Sequence, residues 1–288
     1  MSVVERVVPA QLPPAREVKG PTALAGSFSR FVHLTWTLAV QDFKLRFFGS
    51  ILGYLWQLMR PLMLFGVLYV VFTQAIRIGA GIEYFAPTLL MNIVLYTFFG
   101  DATGGAVRSV VERENLVRKI HFPRLVVPGA VVLTAMFNLA LNLFAVAIFV
   151  FASGVPVRLS WLMLPLLIMA LVVFATGIAM LLSALYVRLR DVGPIWEVIM
   201  QVLFYGTPII YVIELVHVEW LQQLMMMNPL GAILQQVRHT VIDPGAPSAA
   251  EAIGGAPYLL IPAGIVLGLF ALGYWVFSRE APRIAEDL

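Results

Sequence analysis

Apolar residues dominate six stretches of the chain, at about 51–76, 84–107, 126–153, 160–187, 192–213 and 256–279. Each reaches the roughly 20 residues that a helix needs to cross a hydrocarbon core. The pattern predicts six transmembrane helices. Turn-forming residues punctuate them: Gly49-Ser50, Gly79-Ala80-Gly81, Pro123 with Pro128, and Gly193-Pro194.

Two further stretches depart from a plain bundle. Residues 28–48 carry a polar stripe (Arg30, His33, Thr37, Gln41, Lys44) opposite Phe28, Phe31, Trp36, Val40, Phe43 and Phe47. Spacing of three and four predicts an amphipathic helix in the membrane interface. As a seventh span it would put five polar side chains in lipid. The stretch 214–255 is too apolar in its first part for a solvated loop and too interrupted to span. Short helices half-sunk in the outer leaflet suit it, because backbone at membrane depth must satisfy its own hydrogen bonds. The expected organisation is a flexible cytoplasmic tail at 1–27, an interface helix at 28–48 and a six-span membrane domain at 49–288. The tail lacks the apolar core of a signal peptide and holds Pro9, Pro13, Pro14 and Pro21.

Composition agrees with an all-α integral membrane protein. Hydrophobic residues make up 60% and charged residues 12% of the 288, with mean hydropathy +0.90. Soluble domains carry about 25% charge. Arginine outnumbers lysine 16 to 3, which together with abundant alanine points to a GC-rich bacterial source.

The placement of those cations sets the orientation. With the N-terminus inside, sixteen fall on the cytoplasmic side: Arg6, Arg16, Lys19, Arg30, Lys44, Arg46 and Arg60, then Arg108, Arg113, Arg118, Lys119 and Arg124, then Arg188, Arg190, Arg279 and Arg283. Three (Arg77, Arg158, Arg238) fall outside. Both termini are expected in the cytoplasm of a bacterial inner-membrane protein.

Several chemistries are excluded. There is no cysteine, so thiol catalysis and Cys-ligated metals are ruled out. The chain has no P-loop motif, no H-E-x-x-H and no G-x-S-x-G. Its four histidines (33, 121, 217, 239) lack ligand spacing, so no metal site is expected. Uphill transport by this chain would draw its energy from a partner or an ion gradient.

Five motifs in register carry a resemblance. The stretch KLRFFGSILGYLW (44–56) followed by Pro61, the segment NLVRKIHFP (115–123) ending at Pro128, RDV (190–192), TPIIY (207–211) and NPL (228–230) resemble ABC-2 type permeases. The likeness is closest to permeases that export O-antigens, teichoic acids and related cell-wall glycans. It spans residues 30 to about 242. Leu125 stands where the family pattern leads one to expect an acid, and Arg60 has no counterpart in the motif.

The resemblance implies a transport subunit without its own ATPase site. It implies a homodimer on two copies of a separate ABC ATPase, which binds ATP and Mg. Expected contacts are membrane lipids and a lipid-pyrophosphate-linked glycan, with no nucleic acid. A drug or lipid exporter permease shares the topology. A membrane-embedded glycosyl- or phosphotransferase would need a carboxylate cluster on a cytoplasmic loop, and an ion-coupled carrier would have inverted repeats.

Candidate residues follow. Arg113, Glu114, Asn115, Leu116, Arg118, Lys119, His121 and Phe122 form the candidate ATPase-coupling segment by resemblance; composition alone reads it as a positive-inside loop. Arg60 and Asp101 are intramembrane charges at similar depth, and such charges pair or line a pathway. Both a structural pair and a substrate contact fit, and Glu197 could join them. Tyr54, Trp56, Phe65, Tyr69, Phe204, Tyr205 and Tyr211 could stack on sugar faces along a channel, or serve as core and belt aromatics. G-x-x-x-G spacings at Gly49/Gly53, Gly100/Gly104 and Gly264/Gly268 permit close helix packing.

Overall fold

The computed structural model describes residues 28–47, 51–77, 81–114 and 123–281. Among them there is no strand. The helices are α1 (Phe28–Phe47), α2 (Ile51–Val70, continued by a π-helical turn Val71–Ala75), α3 (Phe85–Glu112), α4 (Val126–Ala152), α5 (Leu164–Arg188), α6 (Val192–Gly206), α7 (Glu219–Met227), α8 (Pro229–Val237), α9 (Ala249–Ile253) and α10 (Leu260–Glu280). Short 3-10 turns at Leu159–Met163 and Ala256–Leu259 lead into α5 and α10.

Among the described residues, five helical segments are long and apolar enough to cross a membrane: Leu55–Ala75, Phe85–Glu112, Val126–Ala152, Leu159–Arg188 and Ala256–Glu280. The chain is a multi-pass membrane protein. The remaining stretch expected to span, 192–213, contains the shorter α6, whose 15 residues reach about 22 Å. Its end is local chemistry. Thr207 precedes Pro208 and sits in extended backbone (φ −110°, ψ 144°), where the residue before a proline is pushed. The amphipathic α1 is not among the five.

α3 is the hub. Of its membrane-length window 72% is buried inside the protein, against 11% for α2. It packs on α4 and α5, and more lightly on α2 and α6. Leu89, Ile93, Leu95 and Phe99 of α3 are all but fully buried. Phe99 stacks on Phe174 of α5 at 5.1 Å.

α5 and α10 cross most closely. A Cβ on Gly273 would lie 2.1 Å from the Gly177 carbonyl oxygen, and one on Gly177 would lie 2.6 Å from Phe270 Cα. Only two glycines allow this approach. The G-x-x-x-G spacings do not provide it, since Gly104, Gly264 and Gly268 face open space.

α1 docks along the start of α4. Ala39 is fully buried and its carbonyl accepts from Thr134 Oγ1 at 3.3 Å. Trp36 and Phe43 meet Phe137 edge-on at 5.4 and 5.6 Å. The expected polar stripe of α1 is exposed along its whole length, although Phe28 and Trp36 of the apolar set are exposed too. Arg108, Arg113, Arg188, Arg190 and Arg279 gather at the end of the bundle where α3, α5 and α10 finish. There Arg188 pairs with Glu280 at 2.8 Å. We call this the basic end, and α7–α9 cap the far end.

The α5–α10 crossing yields a test. Gly273→Ala should lower the thermal unfolding temperature, consistent with an overpacking cost of about 1–3 kcal/mol. Gly264→Ala should leave it unchanged. Equal effects in thermal denaturation of the reconstituted protein would contradict the observed packing.

Candidate transport pathway and coupling segment

Arg60 and Asp101 line one cleft. It holds about 390 Å³ between α2 and α3, with Pro61, Leu64, Tyr96, Thr97 and Gly100 as its other walls. Arg60 is nine residues beyond Ile51, about 13 Å along α2, and Asp101 lies eleven residues before Glu112, about 16 Å. These similar positions along α2 and α3 put a guanidinium and a carboxylate in the lining of one cleft. Arg60 is exposed to the cleft side of the surface and Asp101 is half-buried. Glu197 is exposed on α6.

The candidate aromatics divide. Phe65 is buried: it stacks on Tyr69 at 5.6 Å and meets Phe149 edge-on at 5.3 Å, so it ties α2 to α4. Trp56 and Tyr205 are 65% and 67% exposed, and Tyr69 is 37% exposed. Phe204 lies edge-on between Tyr96 (5.1 Å) and Tyr205 (5.3 Å). Tyr96 donates to the Met200 carbonyl at 2.6 Å, which fixes α3 against α6. Tyr211 donates to the Tyr205 carbonyl at 3.0 Å. Tyr54 lies in α2, and its side chain falls outside the described residues.

The break after α6 is held by side chains the sequence reading did not single out. Asn92 of α3, 3% exposed, donates to the carbonyls of Pro208 (3.1 Å) and Ile209 (3.4 Å). Asn228 donates from Nδ2 to Thr207 Oγ1 at 3.0 Å, and its Oδ1 caps α8 by accepting from the Leu230 amide at 3.1 Å. Pro229 follows at the first helical position, where a missing N–H costs nothing. The TPIIY and NPL motifs therefore meet in one hydrogen-bonded knot.

Beyond the knot, Arg238 is 3% exposed and donates to Glu214 (2.7 Å) and Asp243 (3.2 Å). Sequence reading counted it only as an external cation. A buried ion pair survives when both charges are paired and hydrogen-bonded, and here the pairing ties the turn after α6 to the end of α8. Ser248 and Glu251 form a capping box on α9. The Ser248 amide and hydroxyl hold the Glu251 carboxyl below its usual range.

At the basic end, Arg113 pairs with Asp42 of α1. Asn115, Leu116, Arg118, Lys119, His121 and Phe122 lie outside the described residues; Arg113 and Glu114 are where α3 stops. Chain resumes at Pro123, and Leu125 is buried with Val110, Met180 and Phe277. An acid there would sit unhydrated in an apolar cluster, which accounts for leucine at this position.

A family description of the ABC-2 type transporter matches residues 33–242, from α1 to the end of the π-helical turn after α8. The chain belongs to the ABC-2 type transporter family. It is 24% identical over 253 residues to the O-antigen export system permease protein RfbA of Myxococcus xanthus, covering 88% of this chain and 94% of that protein. It is 26% identical to a protein of the same name from Klebsiella pneumoniae, over 86% of this chain and 92% of that one. In this ABC-2 transporter the matched region contains the cleft, the knot and the Asp42–Arg113 clamp.

Replacing Asn92 by alanine leaves the Pro208 and Ile209 carbonyls without this donor. Hydrogen exchange should quicken at residues 207–212 while α10 stays unchanged, and stability should fall by about 1–2 kcal/mol. Unchanged exchange at 207–212 would remove Asn92 from the support of the break.

Proposed function

We propose that this chain is the permease subunit of an ATP-driven ABC exporter that moves a lipid-pyrophosphate-linked polysaccharide out across the bacterial inner membrane. The observation that carries the reading is its likeness, over 86–88% of its length, to permeases named for O-antigen export. α2–α6 and α10 are its six spans, with both termini cytoplasmic, and α7 and α8 are the re-entrant gate helices at the outer face.

ATP and Mg bind to a separate ATPase, two copies of which serve a homodimer of this chain. Segment 113–122 docks there. A push on it reaches α3 directly and α1 through the Asp42–Arg113 pair, as a rigid-body displacement. α2 and α6 carry exposed apolar strips (Leu55, Met59, Met63 and Val67; Ile195, Val198 and Val202). A second copy facing these strips would close the cleft into a channel. Trp56, Tyr69 and Tyr205 would give it sliding sugar surfaces.

The Arg60 guanidinium is suited to the pyrophosphate: its planar fork matches phosphate oxygens. Asp101 holds that fork when substrate is absent. Arg60→Lys should therefore export poorly while the protein stays folded and dimeric, Arg60→Ala should fail, and Asp101→Asn should be milder. Restoration of folding and transport in Arg60→Ala by Asp101→Ala would make the pair structural and end its substrate role.

The division of labour has its own test. The purified chain should hydrolyse no ATP, and export should require a co-expressed ABC ATPase. Intrinsic turnover by this chain alone would overturn it.

A further inference from the structure

A groove of about 500 Å³ opens at the far end of the bundle, between the starts of α5 and α10 and the helices α8 and α9. Met163, Leu167, Ala232, Ile233, Ala263 and Val266 are among the residues of its wall. No charged side chain lines it, and Gln236 and Ser248 are its only polar ones. Both are engaged within the protein. Gln236 Oε1 accepts from the Ala249 amide at 3.1 Å, and the Ser248 hydroxyl is shared with Glu251. The volume lies within the range of about 300–1,000 Å³ typical of small-molecule sites.

The mouth is continuous with the lipid-facing surface. Leu162 (74% exposed) and Leu166 (66%) flank it on one side, and Leu260 (76%) on the other. These belong to two membrane-crossing segments, Leu159–Arg188 and Ala256–Glu280. Under the topology proposed above, the mouth faces the acyl region of the outer leaflet. A wall of this kind offers water almost no hydrogen-bonding partner. Left empty, its lining would forfeit dispersion contacts. Inside a bilayer, packing rather than hydrophobic transfer drives association.

We propose that this groove is a binding site for one acyl chain of a membrane phospholipid, drawn from the outer leaflet under the topology proposed above. The chain fills the space beneath α8 and α9 and forms part of the floor on which these far-end helices rest. Its ligand class follows from the wall: hydrocarbon without a hydrogen-bonding or charged group at depth.

The test uses the full-length protein in proteoliposomes containing a phosphatidylcholine with a diazirine at the end of one acyl chain. Adducts are mapped by peptide mass spectrometry after illumination. Ala232 and Ile233 are each only 7% exposed, so labelling of α8 requires a chain inside the groove, and such labelling is expected. Ala263→Trp, and independently Ala170→Phe from the opposite wall, should abolish the α8 adducts and leave those on Leu162 and Leu166 in place. An unlabelled α8 in the unaltered protein, or full labelling in both variants, would overturn the proposal. So would a disulfide between copies of Ala263→Cys in this cysteine-free chain, because the groove would then be a contact between subunits. Displacement of the label by polyprenyl phosphate would overturn it in favour of a carrier-lipid tail. Confining the label to one leaflet separates the two readings. Labelling of α8 only from the inner leaflet would refute the proposed topology and leave the groove a lipid site.

Discussion

A peptide group in hydrocarbon has no water to fall back on, so each N–H and C=O at membrane depth must find a partner within the protein. Helices answer that demand automatically. The place where this chain leaves α6 is where the structure invests polar side chains. α6 stops at Gly206 because Thr207 precedes a proline, and the carbonyls set free are met by Asn92 from the hub helix. Asn228 then joins the break to the start of α8. Much of the far-end architecture follows from the direction in which that knot sends the chain.

The same constraint explains why α3 is central. A helix contributing an amide to a neighbour's broken backbone must lie against it, and Tyr96 repeats the arrangement one turn deeper by donating to Met200. Trp196 adds a third tie by donating to Thr103 at 3.1 Å. α6 is thus held to α3 by directed bonds as well as apolar contact, while α4 and α5 are held to it by buried apolar surface. The cleft that carries Arg60 and Asp101 opens between α3 and the thinly packed α2, and its Tyr96 wall also reaches α6.

Much of this was legible in the sequence because bilayer thickness imposes a length on apolar runs. The five long spans fall within a few residues of expectation, and α1 follows its three-four polar spacing. Arg60 and Asp101 could be placed at one depth by counting residues, since a helix rises uniformly. What counting could not supply was azimuth. Phe65 and Trp56 look alike in sequence, yet one is sealed between α2 and α4 and the other is exposed. The tight glycine pair was missed for the same reason: Gly177 and Gly273 are 96 positions apart, and no local spacing signals them. Arg238 was read by its charge, whereas its role comes from burial between Glu214 and Asp243.

The crossing of α5 and α10 bears on how the molecule can move. With the two backbones touching at Gly177 and Gly273, a slide by one residue would drive a side chain into a carbonyl. The pair can rotate or translate as a unit but cannot change register without coming apart. It behaves as a stator. Any stroke that carries a cargo through the protein therefore leaves this crossing intact and moves other helices, such as the lightly packed α2, against a wall that two missing methyl groups have locked.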